Sequence, residues 1–68
     1  MTKIKERLKR LRKENGVSQK EVADYIGVSV SAYSNYEQGI REPSLDVLLK
    51  LSDFFDTTCD YLLGKEKY

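Results

Sequence analysis

The chain has 68 residues, a net charge of +1 and a charged fraction of 34%, which predicts one small domain without room for a second catalytic or ligand-sensing domain. Its single cysteine excludes an internal disulfide, and the lack of histidine excludes an ordinary zinc site and a Ser-His or Cys-His catalytic pair. No apolar run approaches the roughly 20 residues that span a bilayer, and no signal-peptide core is present, so we expect a cytoplasmic non-enzyme without metal, cofactor, membrane or small-molecule substrate.

Residues 2–15 predict the first helix, with Thr2 as the candidate N-cap and Asn15-Gly16 as its end. Three apolar residues recur at helical spacing and define a narrow buried stripe: Ile4, Leu8 and Leu11. Basic side chains surround this stripe, so most of the helix is expected to face solvent.

Charge is distributed unevenly along the chain. Residues 1–20 hold eight basic residues (Lys and Arg) and two acidic ones (Asp and Glu). Residues 21–64 hold two basic residues and eight acidic ones. The basic cluster on the first helix consists of Lys3, Lys5, Arg7, Lys9, Arg10, Arg12 and Lys13. It can serve as a solubilising face, or it can attract the phosphate backbone of a nucleic acid, because counterion release rewards cations near DNA. A basic helix on a membrane surface is a third interpretation, which the short apolar stripe disfavours.

Residues 18–39 predict two short helices joined by a tight turn. Ser18 precedes Glu21 by three residues, the spacing of a capping box that fixes the start of a helix. Gly27 then ends that helix, because glycine enters the left-handed region at little cost. Since one residue separates Gly27 from the next candidate N-cap, Ser29, the second helix must start within a turn of about three or four residues, as in a helix-turn-helix.

The second helix of this pair, residues 29–38, has two distinct faces and ends at Gly39. The packable face consists of Ser29, Ala32, Tyr33 and Tyr36. The opposite face consists of Val30, Ser31, Ser34, Asn35 and Gln38. Small or hydrogen-bonding side chains on an outer face are what a helix needs to approach base edges in a major groove.

The candidate base-contacting residues are Val30, Ser31, Ser34 and Asn35. The Asn35 carboxamide can form a bidentate pair of hydrogen bonds with adenine, and Val30 can pack on a thymine methyl group. For Ser34, a base contact and its alternative, a contact to phosphate or no contact at all, are equally consistent with the sequence. Because this helix carries no Lys or Arg, the commonest guanine contact is missing, and the sequence predicts a half-site that leans towards A·T.

The C-terminal half predicts two further helices. Pro43 stops the preceding helix, Ser44 caps a fourth helix, and Thr58 caps a last short one that ends at Gly64. The fourth helix carries a wide apolar stripe, interpreted mainly as core: Leu45, Val47, Leu48, Leu51, Phe54 and Phe55. Three nearby aspartates are interpreted as solvated charge, not as an acid pair or metal site: Asp53, Asp56 and Asp60.

These residues resemble the Cro and phage-repressor type of helix-turn-helix domain, the XRE-like family. The matching positions in the motif are Ser18-Gln19, Glu21, Ala23, Gly27, Val28-Ser29, Tyr33-Ser34, Tyr36-Glu37 and Gly39. The similarity continues through Pro43-Ser44-Leu45, the run at 48–51 and the run at 60–64, and so covers nearly the whole chain. It implies an all-α, compact five-helix lambda-repressor-like domain, which we place at 1–64 with a short, frayed tail at 65–68.

The resemblance also implies roles for single residues. It implies that Arg12 pairs with Glu37 and ties the first helix to the second helix of the motif. A two-fold dimer is implied through the last helix and its flanks, with core packing as the competing role of the candidates. The candidate interface residues are Cys59, Tyr61 and Leu62.

The candidate phosphate contacts lie around the motif. The N-terminus of its first helix offers free backbone donors, and Gln19 is placed to hydrogen-bond beside it. The resemblance supports Gln19 and, less firmly, Ser18, whose capping role can be its whole role. Arg41, just after the second helix, is a further candidate phosphate clamp, with a plain surface charge as the alternative.

Together these expectations describe a sequence-specific regulator that binds double-stranded DNA, most simply a repressor. It would bind a pseudo-palindromic operator as a homodimer, with helix 29–38 in the major groove. One alternative is a protein-binding module, such as an antitoxin or adaptor, that reuses the fold. Another is RNA or membrane-surface binding through the basic first helix.

Overall fold

The computed structural model describes residues 2–65, which form five α-helices and no β-strand. The helices are α1 (Ile4–Asn15), α2 (Gln19–Ile26), α3 (Val30–Gln38), α4 (Leu45–Phe54) and α5 (Cys59–Leu63). Helix α1 contacts α3 and α5, α2 contacts α3 and α4, and α4 contacts α5. The all-α prediction with five helices is confirmed. Most of the expected tail, residues 66–68, lies outside the described residues.

The helix-turn-helix is built by local hydrogen bonds that the sequence predicted. The Ser18 hydroxyl accepts the Glu21 backbone N–H at 3.1 Å, and the Glu21 carboxylate accepts the Ser18 backbone N–H at 3.0 Å. Gly27 closes α2 with φ of 77°, a left-handed conformation that glycine adopts at little cost. The Ser29 hydroxyl then caps α3 by accepting the Ala32 N–H. The turn between the two helices is therefore fixed at both ends.

The start of α1 differs from the prediction. The helix begins at Ile4, and its N-cap is Lys3, whose side chain makes no capping hydrogen bond. Thr2 does not cap this helix, because its hydroxyl donates instead to the Glu42 carboxylate at 2.7 Å. Glu42 lies in the connector between α3 and α4, so a contact between distant parts of the chain replaces the local cap.

The end of α4 is unusual because no glycine occupies the left-handed position. Phe55 is the C-cap, and Asp56 follows with φ of 51°. Within the described residues Asp56 is the one non-glycine residue with positive φ. Aspartate tolerates this region better than most residues, yet its Cβ still carries a steric cost that glycine avoids.

The core is formed by apolar side chains from all five helices. Its buried members are Ile4, Leu8, Leu11, Val22, Ala23, Ile26, Tyr33, Tyr36, Leu48, Leu51, Phe55, Tyr61 and Leu62. The narrow stripe predicted for α1 is confirmed, whereas the prediction that Leu45 belongs to the core is wrong. Leu45 is 71% exposed, because α4 turns Leu48, Leu51 and Phe55 inwards and leaves its first residue at the edge. None of the helices in residues 2–65 is long and apolar enough to cross a membrane.

Candidate nucleic-acid interface

Helix α3 presents the outer face that its sequence pattern predicted. Tyr33 and Tyr36 are buried with the core, while Val30 and Ser31 are exposed. The other two candidate base-contacting residues, Ser34 and Asn35, are half-buried. All four candidates therefore reach the surface from a helix whose opposite side is anchored in the core.

The polar side chains on this face differ in whether they already form hydrogen bonds within the protein. Gln38 donates its side-chain N–H to the Ser34 hydroxyl oxygen at 2.7 Å, so these two residues already contact each other. The Asn35 carboxamide makes no hydrogen bond with another residue in 2–65, so its donors and acceptor are available to a ligand. A carboxamide with both functions free can make the two-pronged contact that adenine offers in the major groove.

Helix α3 is fixed in orientation by a buried carboxylate, Glu37, which is only 2% exposed. Arg12 donates two hydrogen bonds to it, from Nε to Oε2 at 2.6 Å and from Nη2 to Oε1 at 3.2 Å. Tyr33 donates its hydroxyl to Oε2 at 2.6 Å, and Gln19 donates its side-chain N–H to Oε1 at 3.2 Å. The predicted pairing of Arg12 with Glu37 is thus confirmed, and it also involves α2.

The electrostatics of this network favour charged Glu37 and neutral Tyr33. Burial by itself would raise the pKa of Glu37, but hydrogen bonds from Arg12, Tyr33 and Gln19 outweigh burial and lower the pKa. The pKa of Tyr33 is raised, first by burial of the phenol and then by its hydrogen bond to the Glu37 carboxylate. The hydrogen bond to Glu37 raises the pKa of Arg12 further above its already high value. The buried carboxylate is therefore compensated by a permanent cation.

The candidate phosphate contacts lie around the N-terminus of α2 and the end of α3. Gln19 is half-buried and uses one N–H on Glu37, which leaves its second N–H and its carbonyl oxygen for a ligand. The Ser18 hydroxyl oxygen accepts the Glu21 N–H and keeps its own proton to donate. Arg41 is exposed, and its guanidinium makes no hydrogen bond or ion pair within the described part of the chain.

Several charges of the basic cluster are engaged inside the protein. Arg12 binds Glu37, Arg10 pairs with Glu14 at 3.0 Å, and Arg7 donates to the Tyr61 carbonyl at 2.7 Å. The remaining cations of the cluster are exposed: Lys3, Lys5, Lys9 and Lys13. Attraction of a distant anion by α1 therefore depends mainly on these lysines.

Two of the three residues expected at a dimer interface are part of the core. Leu62 is fully buried and Tyr61 is 3% exposed, with the Arg7 guanidinium 4.2 Å from the centre of its ring. The interface assignment is corrected for both, because a side chain enclosed by its own chain has no surface left for a partner. Cys59 is half-buried and keeps some exposed surface.

Five large apolar side chains in residues 2–65 are exposed, of which Val30 was predicted at the surface and Leu45 was predicted in the core. They are Tyr25, Val30, Ile40, Leu45 and Leu49. The helical spacing of α4 contained the signal for two of these, because Leu45 and Leu49 fall beside its buried stripe and not within it. The aspartates at 53, 56 and 60 do not form a metal-binding group with any other described residue.

Similarity to known proteins agrees with this geometry. A helix-turn-helix family model matches residues 8–62. The HTH-type transcriptional regulator AnsR of Bacillus subtilis is 52% identical over 62 residues, which are 91% of this chain and 53% of AnsR. The chain spans about half the length of the curated relatives it matches most strongly.

Solved structures with the same fold include two DNA-binding domains. The P22 c2 repressor in complex with a synthetic operator has a TM-score of 0.89 and 32% identity, over 97% of this chain and all of that one. The N-terminal DNA-binding domain of SinR from Bacillus subtilis has a TM-score of 0.83 and 38% identity, over 96% of this chain and 94% of that domain.

Proposed function

The chain belongs to the XRE-type helix-turn-helix family, and from this membership we propose that it is a sequence-specific DNA-binding transcriptional regulator. The observation that carries the proposal is the outer face of α3. It presents Val30, Ser31, Ser34 and the unengaged Asn35 carboxamide on a helix fixed to α1 and α2 through Glu37. A rigid helix with small and hydrogen-bonding residues outwards is suited to direct reading of a major groove.

The proposed base contacts follow from the chemistry of each side chain. Asn35 pairs with adenine, Val30 packs on a thymine methyl group, and Ser31 and Ser34 donate or accept hydrogen bonds. No Lys or Arg lies within α3, so this helix lacks the usual bidentate partner of guanine. We expect A·T pairs at the contacted positions of each half-site.

The proposed phosphate contacts flank α3. The N-terminus of α2 places backbone N–H groups and a favourable dipole beside Ser18 and Gln19, and Arg41 lies at the other end of α3. Such contacts set the register of the protein on the duplex without reading its sequence. Exposed lysines of α1 add long-range attraction.

The proposed assembly is a homodimer on a pseudo-palindromic operator. Two α3 helices would then lie about 34 Å apart, one turn of the duplex, as in the geometry described for phage repressors. The operator complex of the similar P22 c2 repressor supports DNA binding by this fold. The simplest action that we propose for the bound dimer is occlusion of a promoter. We also propose that the protein acts in the cytoplasm. We propose residues 1–64 as its single DNA-binding domain.

Selection of bound duplexes from a random pool at two salt concentrations tests the proposal. We expect a palindromic, A·T-leaning motif that persists at the higher salt. Binding that is blind to sequence and vanishes with salt would overturn it, because only non-specific attraction by the basic residues would remain. In that case the exposed apolar residues Ile40, Leu45 and Leu49 would favour the second candidate, a protein-binding module.

A further inference from the structure

Two polar side chains on the outer face of α3 are joined to each other. Gln38 donates a side-chain N–H to the Ser34 hydroxyl oxygen at 2.7 Å, across one turn of the helix. Gln38 is exposed and Ser34 is half-buried, and neither belongs to the hydrophobic core. The hydrogen bond therefore lies on the surface that we propose for the major groove, and core packing does not account for it.

A second serine on the same face lacks such a partner. Ser31 precedes Asn35 by four residues, just as Ser34 precedes Gln38, but no hydrogen bond joins Ser31 to Asn35 in the described structure. The glutamine side chain is one methylene group longer than that of asparagine, so it reaches back to the serine of the preceding turn. The two serines therefore present their hydroxyl groups differently.

The hydrogen bond from Gln38 restricts what Ser34 offers to a ligand. A serine hydroxyl has one proton to donate and two lone pairs that accept. One lone pair accepts from Gln38, and the proton is not donated to any other residue in 2–65. Donation of that proton to a ligand continues a chain of hydrogen bonds whose members strengthen one another. Acceptance by the second lone pair would instead leave the proton without a partner in a closed interface, which costs free energy.

We propose that Gln38 is a positioning residue that holds Ser34 as a hydrogen-bond donor, so that Ser34 selects a base with an acceptor on its major-groove edge. The inference rests on the proposed function, because it specifies what one position of α3 reads. Guanine offers N7 and O6 as acceptors, adenine offers N7 and thymine offers O4, whereas cytosine offers only the N4 donor. We therefore expect cytosine to be rejected at the base that Ser34 faces.

A direct contact between Gln38 and a base is the competing role. Gln38 keeps one side-chain N–H and its carbonyl oxygen for a ligand. It is, however, the last residue of α3, and the residues near the N-terminus of a recognition helix are those that contact base edges. Ser34 lies one turn closer to that N-terminus. The position of Gln38 thus favours an action through Ser34.

Two duplexes measure the polarity of Ser34. Duplex selection with Ser34→Ala first locates the base concerned, as the position whose preference differs from that of wild type. Thymine or 5-methylcytosine is then placed at that position. Both bases carry the same methyl group, but the atom attached to C4 is an acceptor in thymine and a donor in 5-methylcytosine. The readout is the ratio of the two affinities, from which any effect of charge at residue 38 on the phosphates cancels.

Two variants of Gln38 should change this ratio in different ways. Wild type should favour thymine by about tenfold, the effect of one hydrogen bond in a closed interface. Gln38→Met keeps the length of the side chain and removes the donor, so Ser34 can rotate and the ratio should fall to about threefold or less. Gln38→Glu should reverse the ratio, because the carboxylate accepts the Ser34 proton and leaves the lone pairs towards the base.

Matched controls separate this role from a direct contact. In the Ser34→Ala background, neither Gln38→Met nor Gln38→Glu should change the ratio. The base preference at the position that Ser31 reads should be the same in all of these proteins, because Ser31 has no contact with Gln38. Changes in the ratio that persist in the Ser34→Ala background would overturn the inference, because residue 38 would then contact the base itself.

The remaining outcomes also decide the inference. A wild-type ratio that favours 5-methylcytosine, or a ratio that both single variants of Gln38 leave unchanged, would overturn it. A selected motif that is the same for Ser34→Ala and wild type would overturn it too, while the proposed reading by Asn35 stands. Wild-type protein that selects no operator would overturn the proposed function and this inference together.

Discussion

The guanidinium of Arg12 and the carboxylate of Glu37 form a two-pronged ion pair, with Nε–Oε2 at 2.6 Å and Nη2–Oε1 at 3.2 Å, that joins α1 to α3. The pair lies between helices that are distant in sequence, and Glu37 has almost no exposed surface. Removal of one partner would leave the other charge buried without compensation, which costs about 3–5 kcal/mol. Any change at either residue should therefore act on the orientation of α3.

We predict that Arg12→Ala lowers the free energy of unfolding by about 3 kcal/mol or more, because it strands the buried Glu37 carboxylate. Glu37→Gln should cost less, although its NH2 group cannot accept the hydrogen bonds of two of the four donors, because the charge it leaves unpaired is that of Arg12, the more exposed partner. Thermal or urea melts of both single variants and of the double variant measure the coupling. Additive effects of the two changes would show that the pair does not contribute as a unit.

The pH dependence of stability should report on Glu37. Its pKa is lower in the folded chain than its ordinary value of 4.5, so its contribution is present above about pH 4.5 and is lost as the pH falls through the folded pKa. The difference in unfolding free energy between wild type and Glu37→Gln should shrink over this acid range. Urea melts from pH 7 to pH 3 provide the measurement, and a constant difference would contradict the assignment.

Tyr33, the hydrogen-bond partner of Glu37, should affect stability at high pH. Its pKa is raised above the ordinary 10.0, so its neutral phenol contributes stability that is present below pH 10 and is lost as the pH rises through the folded pKa. Tyr33→Phe should remove this alkaline loss and reduce, without abolishing, the acid loss that arises from Glu37, because Tyr33 is one of three residues whose hydrogen bonds lower the Glu37 pKa. Glu37→Gln thus tests the acid end of the pH profile of stability, and Tyr33→Phe tests its alkaline end.

We predict different effects on DNA binding from Asn35→Ala and Arg41→Ala. Asn35→Ala should relax the preference for adenine at one position by about 1–3 kcal/mol, because it removes the two-pronged contact. Arg41→Ala should weaken binding to all sequences similarly. It should also reduce the slope of log binding constant against log salt concentration by about the amount that one phosphate contact contributes. Repeated duplex selection and salt titration distinguish them, with circular dichroism as the check on folding. A selected motif that survives Asn35→Ala unchanged would exclude Asn35 as the reading residue.

Relief of the left-handed conformation at Asp56 should stabilise the domain. Asp56→Gly removes the Cβ at φ of 51°, which relieves strain in the folded chain. The greater freedom of glycine in the unfolded chain offsets part of this relief, and we expect the free energy of unfolding to rise by about 0.5–1 kcal/mol in total. For a domain of this size the melting temperature would rise by a few degrees. Asp56→Ala is the matched variant, since it removes the charge and keeps the Cβ. An equal gain in both variants would attribute the effect to charge.

The positions of the helices were predictable from sequence because local interactions decide them. Ser18 and Glu21 satisfy each other's backbone donors within one turn, and Gly27 ends α2 through its own backbone freedom. The end of α4 at Phe54 and the start of α1 at Ile4 were less predictable. In the first case no glycine marks the end, and in the second Thr2 bonds to Glu42, 40 residues away.

The sequence by itself determined the five helices, the turn between α2 and α3, and the polar outer face of α3, since each depends on residues only a few positions apart. Only the tertiary structure decided the burial of apolar residues in α4 and α5 that helical spacing did not assign correctly. It buried Tyr61 and Leu62 and left Leu45 and Leu49 at the surface. It also brought Gln19 to Glu37, which lies 18 residues away on another helix. The physical reason is that burial and long-range hydrogen bonds depend on which helices pack together, and that packing is a property of the whole chain.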